Sequence, residues 1–302
     1  MSKKILVTGG AGFIGSAVIT EMQKHNHEIF VIDNLSFGNR KFINVPDDHF
    51  YNEDILNAKK MEEIITSIKP NYIIHLAAIH FIPYCNQHPY ESSNINIQGT
   101  INILKCAKMV KPEKIFFAST AAVYPIYDKA VNEDHDFGPM DIYGLSKLTG
   151  EHLCNEFHLE TGIPTIICRF FNAFGPNETN PHLIPEIQKQ VLEGKRKIQL
   201  GNLTPKRDFI HTYDMANAVR ILLEKIGKGI HIYNLGRGIE YSVVEIVDAF
   251  SKAINQKIEI EVDQARVRKV ERQHLLADVN KLKALGWEPK IGIEDGIKTL
   301  VE

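Results

Sequence analysis

The chain has few of the residues that mark disulfide-rich or zinc-binding proteins. It contains four cysteines and one tryptophan in 302 residues, and no two of the cysteines form a Cys-x-x-Cys pair. This spacing argues against a disulfide framework and against a zinc site. The sequence therefore predicts no metal, reduced thiols and a cytoplasmic location.

Neither sign of charge is in excess, and long apolar runs are missing. The formal net charge is −2, with 35 basic and 37 acidic residues. This balance gives no general electrostatic basis for binding nucleic acid or an anionic membrane. The apolar run after Lys4 is too short for a signal peptide, and no later run could span a bilayer. We therefore expect any anionic ligand to be held by a local site.

Short apolar segments alternate with helix-like segments along the first half of the chain. These segments run from Ile5 to Thr8, Glu28 to Ile32, Tyr72 to His75, Lys114 to Ala118 and Thr165 to Cys168. The alternation predicts an α/β fold with a Rossmann-like, doubly wound parallel sheet. A loop rich in Gly, Pro and Asn follows Asn172. We predict a Rossmann domain over residues 1–172 and a smaller C-terminal α/β lobe over 173–302, some segments of which return to the first domain.

A glycine-rich turn lies between the first predicted strand and a helix. Gly9, Gly12 and Gly15 have the spacing Gly-x-x-Gly-x-x-Gly, which permits a tight turn and close approach of a dinucleotide pyrophosphate. Asp33 ends the second strand, where a carboxylate accepts hydrogen bonds from the adenosine ribose and meets a 2′-phosphate with like charge. The sequence therefore predicts NAD rather than NADP, although Arg40 leaves an opening for the phosphorylated form. The alternative is a glycine turn without a ligand.

A second group of residues combines a phenol, an ammonium and a hydroxyl. Tyr143 and Lys147 stand one helical turn apart, so their side chains share a face. A nearby ammonium and a positive nicotinamide ring are expected to lower the tyrosine pKa from about 10 toward working pH. Thr120 follows an apolar strand and can bridge a substrate hydroxyl to Tyr143. An ordinary exposed Tyr/Lys pair and a threonine cap are the alternatives.

Several segments in this order resemble the extended short-chain dehydrogenase/reductase family. Within it, the chain is most similar to the UDP-glucose 4-epimerase branch of the NAD-dependent epimerase/dehydratase group. The resemblance is based on the glycine turn, His75-Leu76-Ala77-Ala78, Asn96-Ile97-Gln98-Gly99-Thr100, Ser119 to Tyr124, Tyr143 with Lys147, Arg169-Phe170-Phe171-Asn172 and Arg207-Asp208-Phe209-Ile210-His211. It implies a nucleotide-sugar substrate, held mainly by the C-terminal lobe, and a homodimer.

The expected site follows from the motifs and the resemblance together. The catalytic residues are Thr120, Tyr143 and Lys147. The cofactor contacts are Gly9, Gly12, Phe13, Ile14, Gly15, Asp33, Asn34, Asp54, Ile55, Leu76, Ala77, Ala78, Asn96, Tyr143 and Lys147. Asp54 is also readable as a strand-end cap. The resemblance implies that His80, Thr120, Asn172, Arg207, Arg268 and Glu271 bind substrate, and a surface ion pair is the alternative for the last two.

Two alanines after Thr120 bear on the type of reaction. The 4,6-dehydratases of the family carry an Asp-Glu pair there, whereas this chain has Ala121 and Ala122. Methyl groups cannot transfer protons, so dehydration by that route is disfavoured. Reversible 4-epimerisation through a transient 4-keto sugar fits, with a UDP-hexose as the best candidate. A dehydratase, a decarboxylase, a keto-sugar reductase and a non-catalytic NAD-binding protein are the alternatives.

Other positions depart from the family pattern or leave two interpretations open. Between Arg268 and Glu271, the residues Lys269 and Val270 stand where the family usually has a glycine-containing pair. His80 stands where these epimerases often have lysine, and Pro125 replaces a glycine; both are expected to face the sugar pocket. Leu275 falls near a position that governs pocket width. The polar loop 177–182 is suited either to sugar binding or to connection. Leu148, Leu153 and Phe157 suit either a dimer interface or the core.

Overall fold

A computed structural model describes residues 2–267 and 272–302. The strands in these residues are β1 (Lys4–Thr8), β2 (Glu28–Ile32), β3 (Phe50–Tyr51), β4 (Tyr72–His75), β5 (Lys114–Thr120), β6 (Thr165–Phe170), β7 (Asn172–Phe174), β8 (Lys197–Leu200), β9 (Lys206–His211), β10 (Ile230–Leu235), β11 (Glu240–Ser242) and β12 (Glu259–Val262). The α-helices are α1 (Phe13–Lys24), α2 (Ala58–Ile68), α3 (Ile82–Gln87), α4 (Pro89–Ser93), α5 (Gly99–Val110), α6 (Ile142–Thr161), α7 (Leu183–Leu192), α8 (Thr212–Lys225), α9 (Val243–Ala253), α10 (Asn280–Lys283) and α11 (Ile293–Val301). No helix among the described residues combines the length and apolarity that a bilayer crossing requires.

The largest sheet has seven strands in the order β10-β6-β5-β4-β1-β2-β3, and every pair is parallel. Its central strands are mainly apolar because helices cover both faces. The chain runs outward from β1 to β3 and then returns to place β4 on the other side of β1. The topological switch point therefore lies between β1 and β4, where such sheets bind ligands. The predicted doubly wound parallel sheet is confirmed.

Strands β5 and β6 extend two residues beyond their predicted ends. The added residues include Ser119 and Arg169, whose side chains are buried. Both side chains hydrogen-bond to the carboxylate of Glu151 on α6. Because these polar groups have buried partners, the strands continue past the last apolar residue.

The second half of the chain forms a smaller core of its own and also extends the large sheet. Strands β11, β9 and β7 make a three-stranded sheet, and β12 pairs with β8. Apolar residues of α7, α9 and α11 pack together beside them. Strand β10 instead pairs with β6 in the large sheet. The predicted boundary at residue 172 falls between β6 and β7 and stays a prediction.

Candidate active site

A cavity of about 1090 Å³ opens at the carboxyl ends of the large sheet. Gly9, Asp33 and Thr120, which end or follow β1, β2 and β5, lie in its wall, and Asn172 and Arg207 lie at the smaller sheets. The cavity is also lined by the predicted site residues Gly12, Phe13, Ile14, Gly15, Asn34, Asp54, Ile55, Leu76, Ala77, Ala78, His80, Tyr143 and Lys147. One cavity therefore joins the predicted cofactor and substrate regions.

The glycine-rich turn leaves space that side chains would fill. Gly9 has a φ of +72°, and a Cβ there would lie 2.7 Å from the backbone nitrogen of Ala77. A Cβ on Gly15 would collide with the carbonyl oxygen of Gly9. Helix α1 begins directly after Gly12, so its first amide groups point toward the cavity end of the turn. This geometry fits a pyrophosphate group.

Asp33 lies at the end of β2 with a buried carboxylate. One oxygen accepts a hydrogen bond from the Ala11 amide at 2.9 Å, and the other accepts one from the Leu35 amide at 2.8 Å. Burial raises the pKa of Asp33, and the two amide hydrogen bonds act in the opposite direction. Each carboxylate oxygen keeps a further acceptor site, so the group can also receive a ribose hydroxyl.

Thr120, Tyr143 and Lys147 meet where β5 and α6 reach the cavity. Asp141 caps α6 by accepting a hydrogen bond from the Gly144 amide at 2.7 Å, which fixes the start of the helix. The Thr120 side chain is close enough to Tyr143 to act on the pKa of its phenol, which it lowers. The Lys147 ammonium lies 4.4 Å from the centre of the Phe117 ring. Helix α6 thus places a phenol and an ammonium beside the end of β5.

The predicted lowering of the Tyr143 pKa refers to a site that holds a nicotinamide ring, and it stays a prediction. Burial raises the pKa of Tyr143 well above its usual value, and Thr120 offsets only part of this effect. Burial also lowers the pKa of Lys147 to about 8. The prediction counted a nearby ammonium and a positive nicotinamide ring, whereas among the protein's own groups the loss of hydration has the largest effect on this pKa.

The structure does not bring Asn96 into the cavity. Its side-chain amide accepts a hydrogen bond from the Ile79 amide at 2.8 Å and donates to the Ile79 carbonyl at 3.0 Å. It also donates to Ser146 Oγ of α6 at 2.9 Å. Asn96 lies in a π-helical turn, Asn94–Gln98. It therefore connects the loop after β4 to the helix that carries Tyr143.

A buried ionic network behind Thr120 was missed in the sequence. Arg169 and Glu151 form an ion pair of 2.8 Å, with 0% and 5% of their side chains exposed. Arg169 Nη1 donates to the Tyr124 hydroxyl at 2.8 Å, and this hydroxyl donates to Asn234 at 2.7 Å. The network joins α6 to β5, β6 and β10. Only the buried positions of these polar residues reveal it, and those depend on tertiary packing.

Three arginines lie in the cavity wall at the smaller sheets: Arg207, Arg266 and Arg272. Arg272 was not predicted as a site residue. Its guanidinium donates to the backbone carbonyls of Tyr124 and Pro125, at 2.5 and 3.0 Å. Pro125 was expected to face the sugar pocket, but it is not among the described residues that line the cavity. Its carbonyl accepts the hydrogen bond from Arg272. The predicted substrate contacts Arg268 and Glu271 lie outside the described residues.

His80 and the loop 177–182 line the cavity near its substrate end. His80, Glu178, Thr179 and His182 are part of the wall, and Leu275 also reaches it. Burial lowers the pKa of His80 to about 4, with a further contribution from His182. The loop is thus part of the site and more than a connector between strands.

The fold and the site define a class: a doubly wound parallel-sheet protein with a dinucleotide-type cleft and a Tyr/Lys helix. A family model described as the NAD dependent epimerase/dehydratase family matches residues 5–236. A putative UDP-glucose 4-epimerase of Methanocaldococcus jannaschii is 35% identical over 98% of this chain and 97% of its own length.

Solved structures agree with the sequence relatives. The UDP-glucose 4-epimerase of Thermus thermophilus, a complex with NAD, has a TM-score of 0.90 and 27% identity, covering 99% of this chain and 97% of that one. The UDP-glucose 4-epimerase of Thermotoga maritima with UDP-glucose has a TM-score of 0.90 and 28% identity with the same coverage. The chain belongs to the NAD-dependent epimerase/dehydratase family, which confirms the predicted resemblance.

Proposed function

We propose that the protein is an NAD-dependent nucleotide-sugar 4-epimerase that acts on a UDP-hexose. The observation that carries the proposal is the cavity itself. Thr120, Tyr143 and the buried Lys147 line the same cavity as the glycine-rich turn and the arginine group. One cavity with these groups suits a dinucleotide and a diphosphate-linked sugar bound side by side.

The residues at the large sheet fit NAD. The Gly9 to Gly15 turn and the first amides of α1 are suited to hold the pyrophosphate, and Asp33 the adenosine ribose. Arg40 is directed elsewhere, because its guanidinium donates to Ile43 and Val45 carbonyls and pairs with Asp47 at 3.0 Å. A 2′-phosphate would therefore meet the Asp33 carboxylate without Arg40 to neutralise the charge, which favours NAD. The Thermus thermophilus relative is a complex with NAD.

The chain's own groups perform the proton chemistry in this proposal. Bound NAD would supply reversible hydride transfer at C4 of the sugar, which permits inversion at that carbon. Tyr143 removes the O4 proton, either directly or by way of the Thr120 hydroxyl, and later gives a proton back. Lys147 supplies positive charge that stabilises the phenolate, and with the oxidised nicotinamide it opposes the effect of burial. The sugar turns between the two steps.

The substrate end of the cavity supports a nucleotide diphosphate. Arg207 and Arg272 provide planar guanidinium groups, which are well suited to diphosphate oxygens, whereas Arg266 pairs with Glu186 and Asp263. Asn172 offers an amide beside them. The Thermotoga maritima relative contains UDP-glucose. Ala121 and Ala122 lie in the wall next to Thr120 and provide no acid or base for dehydration.

We further propose a homodimer that works in the cytoplasm. Leu148, Leu153 and Phe157 pack within the monomer, but Leu145 and Leu159 of the same helix are 49% and 69% exposed. These two exposed leucines on α6 are suited to contact with a second copy of the chain. The four cysteines are buried and unpaired, which suits a reducing compartment.

The experiment is a substrate panel read by NMR. The purified protein with NAD is incubated with UDP-, GDP-, CDP- and dTDP-hexoses, and products inverted at C4 are identified. We expect inversion of a UDP-hexose without net reduction of NAD, and no inversion by the Tyr143→Phe variant. Water elimination, net consumption of a reduced cofactor, or silence with every nucleotide sugar would contradict the proposal.

A further inference from the structure

We propose that His80, Glu178 and His182 form a binding site for Zn²⁺ in the cavity wall. One ligand atom from each side chain lies within 4.8 Å of the other two. His80 lies in the loop after β4, and Glu178 and His182 lie in the loop before α7. This inference goes beyond the epimerase proposal and does not depend on it.

The donor types match zinc chemistry. Two imidazole nitrogens and one carboxylate oxygen are a common zinc ligand set, which leaves a fourth position for water or another oxygen ligand. Zinc–ligand bonds of about 2.0–2.2 Å place tetrahedral donor atoms roughly 3.4 Å apart. The three donor atoms must therefore approach by at most about 1.4 Å from their 4.8 Å limit. Side-chain rotation can supply this movement without a change of backbone.

The loop that carries two of the ligands is held in place by hydrogen bonds. Thr179 Oγ1 donates to the Phe37 carbonyl at 2.8 Å, and Asn177 Nδ2 donates to Ser16 Oγ at 3.2 Å. Both contacts anchor the loop to the first half of the chain. Such outer contacts keep metal ligands oriented.

The ligand atoms are also tied to one another. Asn180 donates its amide to Glu178 Oε1 at 3.0 Å, and its side-chain nitrogen lies 3.3 Å from His80 Nε2. His182 Nδ1 lies 3.3 Å from Glu178 Oε2. The residues are therefore close before any cation binds, and a cation would replace the longest of these contacts.

Burial and charge favour a cation at this place. The Glu178 side chain is only 5% exposed, and it pairs with the His182 imidazole. A carboxylate with so little contact to water gains from a directly bound dication. His182 is 38% exposed, which leaves a route from solvent. All three residues line the cavity, so a fourth ligand can reach the site from there.

The test measures metal binding rather than turnover. Full-length protein is freed of metal with a chelator, and ZnCl₂ alone is titrated into it by isothermal calorimetry. We expect one Zn²⁺ per chain, and at least tenfold weaker binding in each of His80→Ala, Glu178→Gln and His182→Ala. His152→Ala, which removes an exposed histidine of α6, is the matched control and should bind as the unmodified protein does.

A second measurement separates direct ligation from misfolding. Circular dichroism confirms that each variant is folded, and a His→Gln variant replaces any alanine variant that is not. Co²⁺ added to the metal-free protein should give the visible bands of four-coordinate cobalt, and each ligand variant should lose them. Absence of stoichiometric Zn²⁺ binding, or unchanged affinity in any one of the three ligand variants, would overturn the proposal.

Discussion

In the proposed mechanism, the chemistry of the site depends on Tyr143. Burial raises the pKa of its phenol, and Thr120 acts in the opposite direction. A base of this kind becomes active when positive charge gathers around it. The site therefore holds Tyr143 in a state that bound cofactor and Lys147 can change.

Replacing Tyr143 by phenylalanine separates chemistry from binding. The variant keeps the ring that lines the cavity and loses the hydroxyl that is the proposed base. We expect kcat to fall by about 10²–10⁴-fold, the usual contribution of general acid–base catalysis. The Kd for NAD, measured by calorimetry, should change little. A wild-type rate in this variant would rule out Tyr143 as the base.

The buried ammonium of Lys147 lowers the stability of the fold. Its pKa is lowered to about 8 because burial disfavours the ammonium. A group whose folded pKa lies below its unfolded value destabilises the fold below the folded pKa, and this effect disappears as pH rises toward the unfolded value of about 10.5.

A Lys147→Met variant tests this linkage. We expect its free energy of unfolding at pH 7 to exceed that of the unmodified protein by up to about 3 kcal/mol, since each pKa unit corresponds to 1.36 kcal/mol. The difference should shrink between pH 8 and 10.5. Urea unfolding at several pH values measures it, and a difference independent of pH would show that the ammonium is not the cause. Turnover should fall in the same variant.

Individual site residues were predictable where a motif fixes their local geometry. Gly9, Asp33 and Tyr143 reach the cavity because each lies at a strand end or in the first turn of a helix. Asn96 was expected among the cofactor contacts, but its amide is occupied by Ile79 and Ser146. Arg272 reaches the cavity through an irregular segment, whose path no periodicity in the sequence predicts.

Among the secondary-structure elements, helix α6 depends on the Glu151–Arg169 ion pair. The pair connects α6 to β6, and the Ser119 hydroxyl also reaches Glu151. A buried pair of this kind is costly to break, because removal of one member leaves the other charged and without its partner. The predicted strands ended at Ala118 and Cys168, because a sequence pattern of apolar residues cannot show that the next polar ones are paired.

Breaking this pair should loosen the helix that carries Tyr143 and Lys147. We expect Arg169→Met to lower the free energy of unfolding by about 3–5 kcal/mol. The double variant Arg169→Met/Glu151→Leu serves as the control and should recover part of the loss, because no unpaired charge remains. Urea denaturation at pH 7 compares the three proteins. Equal losses in the single and double variants would contradict the assignment to an unpaired carboxylate.

At the scale of the whole molecule, the parallel sheet and the smaller sheets place two binding regions along one cavity. The large sheet was predictable from alternating apolar segments, since helices bury it on both faces. Strand β10 returns to that sheet beside β6. The sequence predicted that some C-terminal segments return to the first domain, but it did not show which ones. The pairing of β10 depends on contacts between distant parts of the chain, which short sequence patterns do not encode.

The central claim is that a hydrogen at C4 leaves the sugar and returns to the same carbon within one cavity. The most direct measurement uses a UDP-hexose that carries deuterium at C4, incubated with the protein and NAD and analysed by NMR. We predict a C4-inverted product that keeps its deuterium at C4, with no net change in reduced-nicotinamide absorbance. Replacement of that deuterium by hydrogen, or net reduction of NAD in step with product, would contradict the account.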